Sequence, residues 1–175
     1  IYRQDRLRLG RQKVLVLSGS GNIDLTLRIF RSPRVEAWII TAREGQENIR
    51  SQLKRLGREG TIKILSVGEG TRVDLVAVTQ LLRQEHGIRT LLCEGGPTLY
   101  GEFLKNQLID EDFRTMSLQV LGESTKPEID RPTAYGTVSY PQGTAPGFRL
   151  IRLQSAMPHP VFFRLRYEGP RPFVD

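Results

Sequence analysis

Apolar positions along the chain form runs typical of buried strands, separated by segments in which they recur at helical spacing. In the first two-thirds of the sequence, four apolar or β-branched runs predict strands, at Lys13–Leu17, Val35–Thr41, Thr61–Leu65 and Ile88–Cys93. The first run ends in the small and polar residues Ser18–Asn22, which predict a tight loop.

Three helices are predicted between and after these strands. Apolar residues recur every three or four positions from Ile49 to Leu56, before a glycine that suits a helix end. Asp74 is a good N-cap for a second helix that runs to about His86. Pro97 suits the first position of a third, which runs to about residue 107. Strands that alternate with helices in this way build a mostly parallel sheet.

The last third of the chain changes character. Residues 112–120, 148–154 and 160–167 alternate as strands do, and a segment rich in Pro, Gly and Thr spans roughly residues 122–146. The last two strands have a short connection, which predicts antiparallel pairing. We therefore expect one α/β domain over residues 1–175, with a mixed sheet that is parallel first and antiparallel at its C-terminal end.

Composition narrows the class of protein. The 175 residues are 38% hydrophobic and 26% charged, a balance that can build a core, and no run is long and apolar enough to cross a membrane. The N-terminal residues lack the apolar region of a signal peptide. The single cysteine, Cys93, excludes an intrachain disulfide and reads as a core residue, which is compatible with the reducing cytoplasm. We accordingly predict a cytoplasmic protein that does not bind membranes.

The basic charge of the chain has several explanations. The formal net charge is +7, and most of the cationic residues are arginines, whose planar guanidinium groups bind phosphate well. This suggests phosphorylated ligands or nucleic acid, although on charge alone a basic solvated surface is the favoured explanation. Nucleic acid ranks last, because the few aromatic residues are not interleaved with arginine along one strand.

The strongest candidate for chemistry is the turn Glu94–Leu99, which has the sequence Glu-Gly-Gly-Pro-Thr-Leu. It joins a predicted strand to a predicted helix. Glycines let a ligand approach the backbone closely, and the first N–H groups of a helix are free to bind an anion. The turn therefore predicts a phosphate site, although a tight turn without a ligand has the same pattern. Glu94 either faces a substrate or accepts hydrogen bonds from nearby backbone N–H groups.

A second loop of small residues follows the first predicted strand. Ser18, Gly19 and Ser20 offer hydroxyl groups for a ribose or a 2′-phosphate, although a solvated turn is an equal alternative. The strand that ends at Thr41 is followed by Arg43, which is either a phosphate ligand or a surface arginine. Three strand ends with polar, small or basic residues are a better candidate for a site than any one of them.

Other catalytic chemistry is sparse. Two isolated histidines and one cysteine have no metal-ligand spacing, and no catalytic triad motif is present. We therefore predict no metal and assign no catalytic residue, and any catalysis would rely on a bound cofactor.

The sequence around the glycine turn resembles a known family. Leu91–Leu99, together with Gly101, Phe103 and Leu104, is similar to the signature of the reductase domain of bacterial riboflavin biosynthesis. Residues 108–111 and 118–122 are similar to the segment that follows this signature, and residues 14–30 to an earlier strand and loop of the family.

This resemblance implies a dihydrofolate-reductase-like three-layer α/β fold and the reductase activity of the family. It implies that NADPH reduces a ribosylaminopyrimidine 5′-phosphate to the ribitylamino product, in a homodimer. Glu94 would face the substrate. The cofactor contacts that we predict are Ser18, Gly19, Ser20, Thr41, Gly95, Gly96, Pro97, Thr98, Leu99 and Tyr100.

One part of the family pattern is not found. In the family, a strand with a Ser-x-Asp-Gly-type motif and a further strand–helix unit come before this region, and nothing before Lys13 resembles them. We therefore expect either a longer natural chain or a divergent relative that binds nucleotide or phosphate without catalysis. A zinc deaminase domain, which often accompanies the reductase, has no ligand set here.

Overall fold

A computed structural model describes residues 11–118, 133–136, 138–141, 143–155 and 160–170. The chain divides into two compact units, Ile1–Arg89 and Thr90–Asp175.

The first unit is built on a parallel sheet. Its strands β1 (Gln12–Leu17), β2 (Val35–Thr41) and β3 (Lys63–Ser66) lie in the order β1-β2-β3. Val16 pairs with Ile39, and Ile39 with Ile64, so the three strands place apolar side chains in register on each face. Between β1 and β2 the chain forms a short 3₁₀ helix, Arg28–Phe30.

Two helices cover the two faces of this sheet and make three layers. Helix α1 (Arg43–Arg55) buries Ile49 and Leu53 against Ile39 on one face. Helix α2 (Leu75–Gln84) packs on the other face, and its contacts there are Val78 and Leu82 with Trp38 and Ile40. Alternate residues of β2 therefore enter two different cores, as the period of a strand dictates.

A small hairpin connects β3 to α2. Its strands β4 (Gly68–Glu69) and β5 (Arg72–Val73) pair antiparallel. Asp74 follows directly, and its side chain accepts a hydrogen bond of 2.9 Å from the N–H of Ala77 in the first turn of α2. The predicted N-cap of α2 is therefore confirmed.

The second unit contains helix α3 (Pro97–Lys105) and an antiparallel sheet. The sheet consists of β6 (Glu111–Met116), β7 (Pro146–Ser155) and β8 (Val161–Pro170), in the order β6-β8-β7. Helix α3 begins at Pro97, as predicted, and buries Phe103 and Leu104. The antiparallel pairing of the last two strands is also confirmed.

The predicted α/β class, with a parallel sheet first and antiparallel strands at the C-terminal end, is confirmed, but the described strands are not joined in one mixed sheet. The described residues form separate parallel and antiparallel sheets, and Ile88–Cys93 is not a strand. An extended segment becomes a strand only when a neighbour accepts its backbone hydrogen bonds. Among the described residues no strand pairs with Ile88–Cys93, since the N–H of Ile88 donates to the carbonyl of Leu82 at the end of α2, and Leu92 is 71% exposed.

Some predictions fall outside the described residues. They concern residues 119–120 of the predicted strand, residues 121–132 with the start of the Pro/Gly/Thr-rich segment, and most of the turn before β8. Among the described residues, no helix is both long and apolar enough to cross a membrane.

Candidate functional site

The N-terminus of α3 has the open backbone geometry that suits an anion. Gly96 is the N-cap residue, and no side chain caps the helix. Pro97 has no N–H, and the N–H of Tyr100 is the first to bond within the helix, to the carbonyl of Gly96 at 3.1 Å. The N–H groups of Thr98 and Leu99 therefore precede the helical hydrogen-bond ladder, in the part of a helix that attracts negative charge.

The two glycines of this turn differ in their surroundings. A Cβ on Gly95 would lie 2.5 Å from Cδ2 of Leu99, so Leu99 packs back over Gly95. A Cβ on Gly96 would meet nothing within 4 Å. Gly96 and Thr98 are exposed. A ligand can therefore approach the backbone at Gly96, whereas Gly95 serves the packing of the turn.

The Ser18–Gly21 loop has a different construction, because its carbonyl groups are held by side chains. The hydroxyl of Thr41 donates to the carbonyl of Gly19 at 3.2 Å. Two residues of α1 continue the pattern: Asn48 donates to the carbonyl of Ser20 at 3.1 Å, and Gln52 to that of Gly21 at 2.9 Å. Thr41 has no exposed surface, so it supports the loop from beneath.

Close backbone packing also fixes this loop. A Cβ on Gly19 would overlap the carbonyl oxygen of Thr71, and a Cβ on Gly45 would overlap that of Gly19. The N-terminus of α1 is itself occupied, because the N–H of Glu44 donates to the carbonyl of Gly70 at 3.0 Å. The hydroxyl-bearing residue Ser20 remains exposed at the loop surface.

The two loops therefore offer different chemistry. A loop carbonyl already accepts from the N–H of Glu44 at the start of α1, whereas no described residue accepts from the N–H groups of Thr98 and Leu99 at the start of α3. The phosphate site predicted at Glu94–Leu99 has the better geometry of the two. Arg43, the first residue of α1, is exposed and lies 3.9 Å from Glu69, as surface arginines commonly do.

Tyr100 points its hydroxyl into the second unit. The hydroxyl oxygen is buried and makes no hydrogen bond of acceptable geometry among the described residues. Burial, followed by the proximity of the Asp112 carboxylate, raises the pKa of Tyr100 above its ordinary value. A contact of Tyr100 with a cofactor would therefore involve its ring or backbone.

The remaining candidates are placed as follows. Glu94 is exposed and none of the described residues hydrogen-bonds its carboxylate, whereas Cys93 is half-buried. His86 packs its ring edge-on against Trp38, with centroids 4.8 Å apart, and its Nδ1 lies 3.4 Å from Nζ of Lys63. In the part of the chain that the structure describes, no group of His, Cys, Asp and Glu could hold a metal ion.

Several residues that shape these loops were not singled out in the sequence. Asn48 and Gln52 lie one helical turn apart on α1, a spacing that places both on the face that meets the Ser18–Gly21 loop. Asp112 and Arg114 alternate on β6, and Asp112 is only 7% exposed. A charged residue at an inward position of a strand is the signal that identifies such a pair.

Comparisons with known proteins agree with this fold. The sequence matches the RibD C-terminal domain family over residues 4–133. The structure is similar to RibD from Acinetobacter baumannii, with a TM-score of 0.64 and 22% identity, over 89% of this chain and 37% of that one. It is also similar to a pyrimidine reductase-like protein from Corynebacterium diphtheriae, with a TM-score of 0.68 and 17% identity, over 89% of this chain and 61% of the other. No curated protein sequence matches the chain significantly.

The likeness extends to the whole described architecture. Both superpositions include 89% of this chain, so the chain shares the α/β fold of these two proteins. The chain spans less than two-thirds of the length of either protein.

Proposed function

Since the chain belongs to the RibD C-terminal domain family, we propose that it serves an NADPH-dependent reductase of riboflavin biosynthesis. The proposed reaction converts a ribosylaminopyrimidine 5′-phosphate into the ribitylamino product. The observation that carries the proposal is the open N-terminus of α3, where Gly96 leaves its backbone accessible and Thr98 is exposed.

The residues present fit a dinucleotide pyrophosphate. Free N–H groups at the start of a helix, a glycine without neighbours and an exposed threonine hydroxyl together suit a phosphate group. Among the described residues no side chain caps the helix, and its first turn contains no acidic residue. When bound, NADPH would supply the hydride.

The protein groups then have separate roles. Gly96, Thr98 and Leu99 bind the pyrophosphate through backbone N–H groups and the Thr98 hydroxyl. Ser18, Gly19 and Ser20 contact the adenosine end of the cofactor, and Thr41 acts through this loop. Glu94 orients the substrate by accepting a hydrogen bond from a hydroxyl or amine. Holding both reactants in position is the main contribution of the protein to such a transfer.

Two variants separate cofactor binding from substrate handling. Gly96→Ala adds a Cβ that meets no protein atom within 4 Å, so it should leave the fold intact. The same Cβ would occupy the space of a bound phosphate, and we expect the Kd for NADPH to rise about tenfold, which is ~1.4 kcal/mol. Fluorescence titration of the full-length protein with NADPH measures this change.

Glu94→Gln is the complementary variant. We expect it to bind NADPH with unchanged Kd and to reduce the pyrimidine phosphate more slowly. A wild-type protein that is folded but binds neither NADPH nor NADH contradicts the proposal. Binding of NADPH without any turnover in the full-length protein would indicate the non-catalytic relative.

The assembly and location are further parts of this proposal. We infer a homodimer in the cytoplasm from the family likeness. Sedimentation equilibrium of the full-length protein tests the dimer, and a monomer at all concentrations contradicts it.

A further inference from the structure

The short turn formed by residues 133–136 lies along the first half of α3. Gly136 has a φ of +64°, and a Cβ on it would lie 3.3 Å from the carbonyl carbon and oxygen of Pro97. A Cβ on Gly101, one turn further along, would overlap the carbonyl oxygen of Tyr135. The turn therefore forms a wall beside the residues that begin α3.

The turn is closed by its own hydrogen bonds. The N–H of Gly136 donates to the carbonyl of Thr133 at 3.1 Å, and the hydroxyl of Thr133 donates to the carbonyl of Gly136 at 2.7 Å. These bonds give the turn its shape but do not attach it to anything else. Besides the close backbone packing on α3, side-chain contacts can hold the turn in place.

Arg114 of β6 supplies such a contact. Its guanidinium carbon lies 5.3 Å from the centroid of the Tyr135 ring and 5.5 Å from that of Phe148 on β7. These are distances at which a cation is attracted to an aromatic ring. The Tyr135 ring also lies near α3, because its centroid is 5.8 Å from that of the Tyr100 ring.

Asp112 fixes Arg114 in this place. The Nε of Arg114 donates to Oδ2 of Asp112, whose side chain is almost fully buried. A buried carboxylate that accepts a hydrogen bond from a guanidinium group holds it at a defined orientation. The chain of contacts thus runs from Asp112 through Arg114 and Tyr135 to the backbone at the start of α3.

We propose that Arg114 is a positioning residue that sets the wall beside the N-terminus of α3 and thereby the affinity of that site for the cofactor. The inference rests on the proposed function, because the ligand of the site is the NADPH proposed above. Arg114 acts through Tyr135 and touches no reacting atom. Small displacements of a binding wall are costly because contacts to a ligand are lost together.

The test uses two pairs of variants in the full-length protein. Arg114→Ala removes the contact, and Arg152→Ala is its control, because Arg152 is an exposed arginine of the same sheet. Gly136→Ala pushes the turn away from α3. Gly143→Ala is its control, because Gly143 also has a positive φ, of +79°, but nothing lies within 4 Å of its Cβ position.

Two measurements are made on each variant. Hydrogen–deuterium exchange over residues 97–101 reports the wall without any ligand, and fluorescence titration gives the Kd for NADPH. We expect faster exchange and an approximately tenfold higher Kd in Arg114→Ala and Gly136→Ala, with both controls near wild type. Arg114→Lys keeps the charge but loses the planar group, so its Kd should lie between those of wild type and Arg114→Ala.

The outcomes separate the two proposals. Unchanged exchange in Arg114→Ala overturns the positioning role, and so does faster exchange with an unchanged Kd. The role is also overturned if the control variants lose NADPH affinity in the same proportion to their loss of thermal stability, because the rise in Kd would then reflect general destabilisation. If wild type binds no NADPH, the proposed function fails, and the exchange data alone then decide whether Arg114 sets the wall.

Discussion

Gly45 of α1 occupies a position that leaves no room for a side chain. A Cβ there would overlap Oγ1 of Thr41 and the carbonyl oxygen of Gly19, and would lie 2.8 Å from the nitrogen of Gly21. Two of these three atoms belong to the backbone of the Ser18–Gly21 loop, which cannot rotate away as a side chain could. Gly45→Ala should therefore destabilise the first unit.

The expected size follows from three contributions. Forcing extra volume into such a contact costs about 1–3 kcal/mol, because the loop must move by roughly an ångström to regain ordinary separations. Displacing the loop also weakens the Thr41 hydrogen bond to Gly19, which contributes about 1 kcal/mol. Alanine is favoured over glycine in a helix by up to about 1 kcal/mol, which offsets part of the loss. We expect a net loss of about 2 kcal/mol.

Urea unfolding followed by tryptophan fluorescence measures this loss. Trp38 is the only tryptophan and is buried in the first unit, so it reports on the unit that contains Gly45. Glu47→Ala, an exposed change in the same helix, should alter stability by less than about 0.5 kcal/mol. The double variant Thr41→Ala/Gly45→Ala removes one overlapping atom and should lose less than the sum of the single variants.

If Gly45→Ala is as stable as Glu47→Ala, the loop does not pack on α1 as described. The same result would remove the argument that Asn48 and Gln52 hold the loop in one conformation.

Three further changes test other contacts. Asp74→Ala removes the N-cap of α2 and should cost about 1 kcal/mol in urea unfolding, whereas Asp74→Asn should lose much less; equal losses would contradict the cap. A hydrogen bond from Trp38 holds the pKa of Glu36 below its ordinary value of 4.5, so ionised Glu36 stabilises the fold above that pH. The stability difference between wild type and Glu36→Gln should therefore shrink as the pH falls below 4.5. A difference that does not depend on pH contradicts the contact. Tyr100→Phe removes a buried hydroxyl that makes no hydrogen bond of acceptable geometry with the described residues, so it should leave stability unchanged or raise it by up to about 1 kcal/mol. A clear loss in thermal unfolding would show that the hydroxyl is paired.

Local signals in the sequence predicted most of the elements well. The second strand was predicted at Val35–Thr41 and has those bounds, because its β-branched and aromatic run is sufficient to define it. The Asp74 cap and the start of α3 at Pro97 were also predicted correctly, since both depend on one residue and the few that follow it. Signals of this kind act within a single turn of chain.

The errors concern features that depend on distant residues. Ile88–Cys93 has the apolar pattern of a strand, but a strand also requires a neighbour, and no sequence window contains that information. The sequence also does not show that Thr41 is fully buried beneath the Ser18–Gly21 loop, although its proposed role at that loop stays a prediction. The role of Arg114 depends on Tyr135, which is 21 residues away in the sequence.

The two glycine loops show why a shared pattern does not imply shared chemistry. Both follow an apolar run, and both contain glycines and hydroxyl residues. At Ser18–Gly21 the glycines bring backbone segments together, and the carbonyl of Gly70 takes an N–H at the start of α1. At Gly96 the missing Cβ leaves open space beside N–H groups that precede the helical ladder. A glycine that packs against protein leaves no room for a phosphate, so the open turn of α3 is the better candidate for the pyrophosphate of the proposed cofactor.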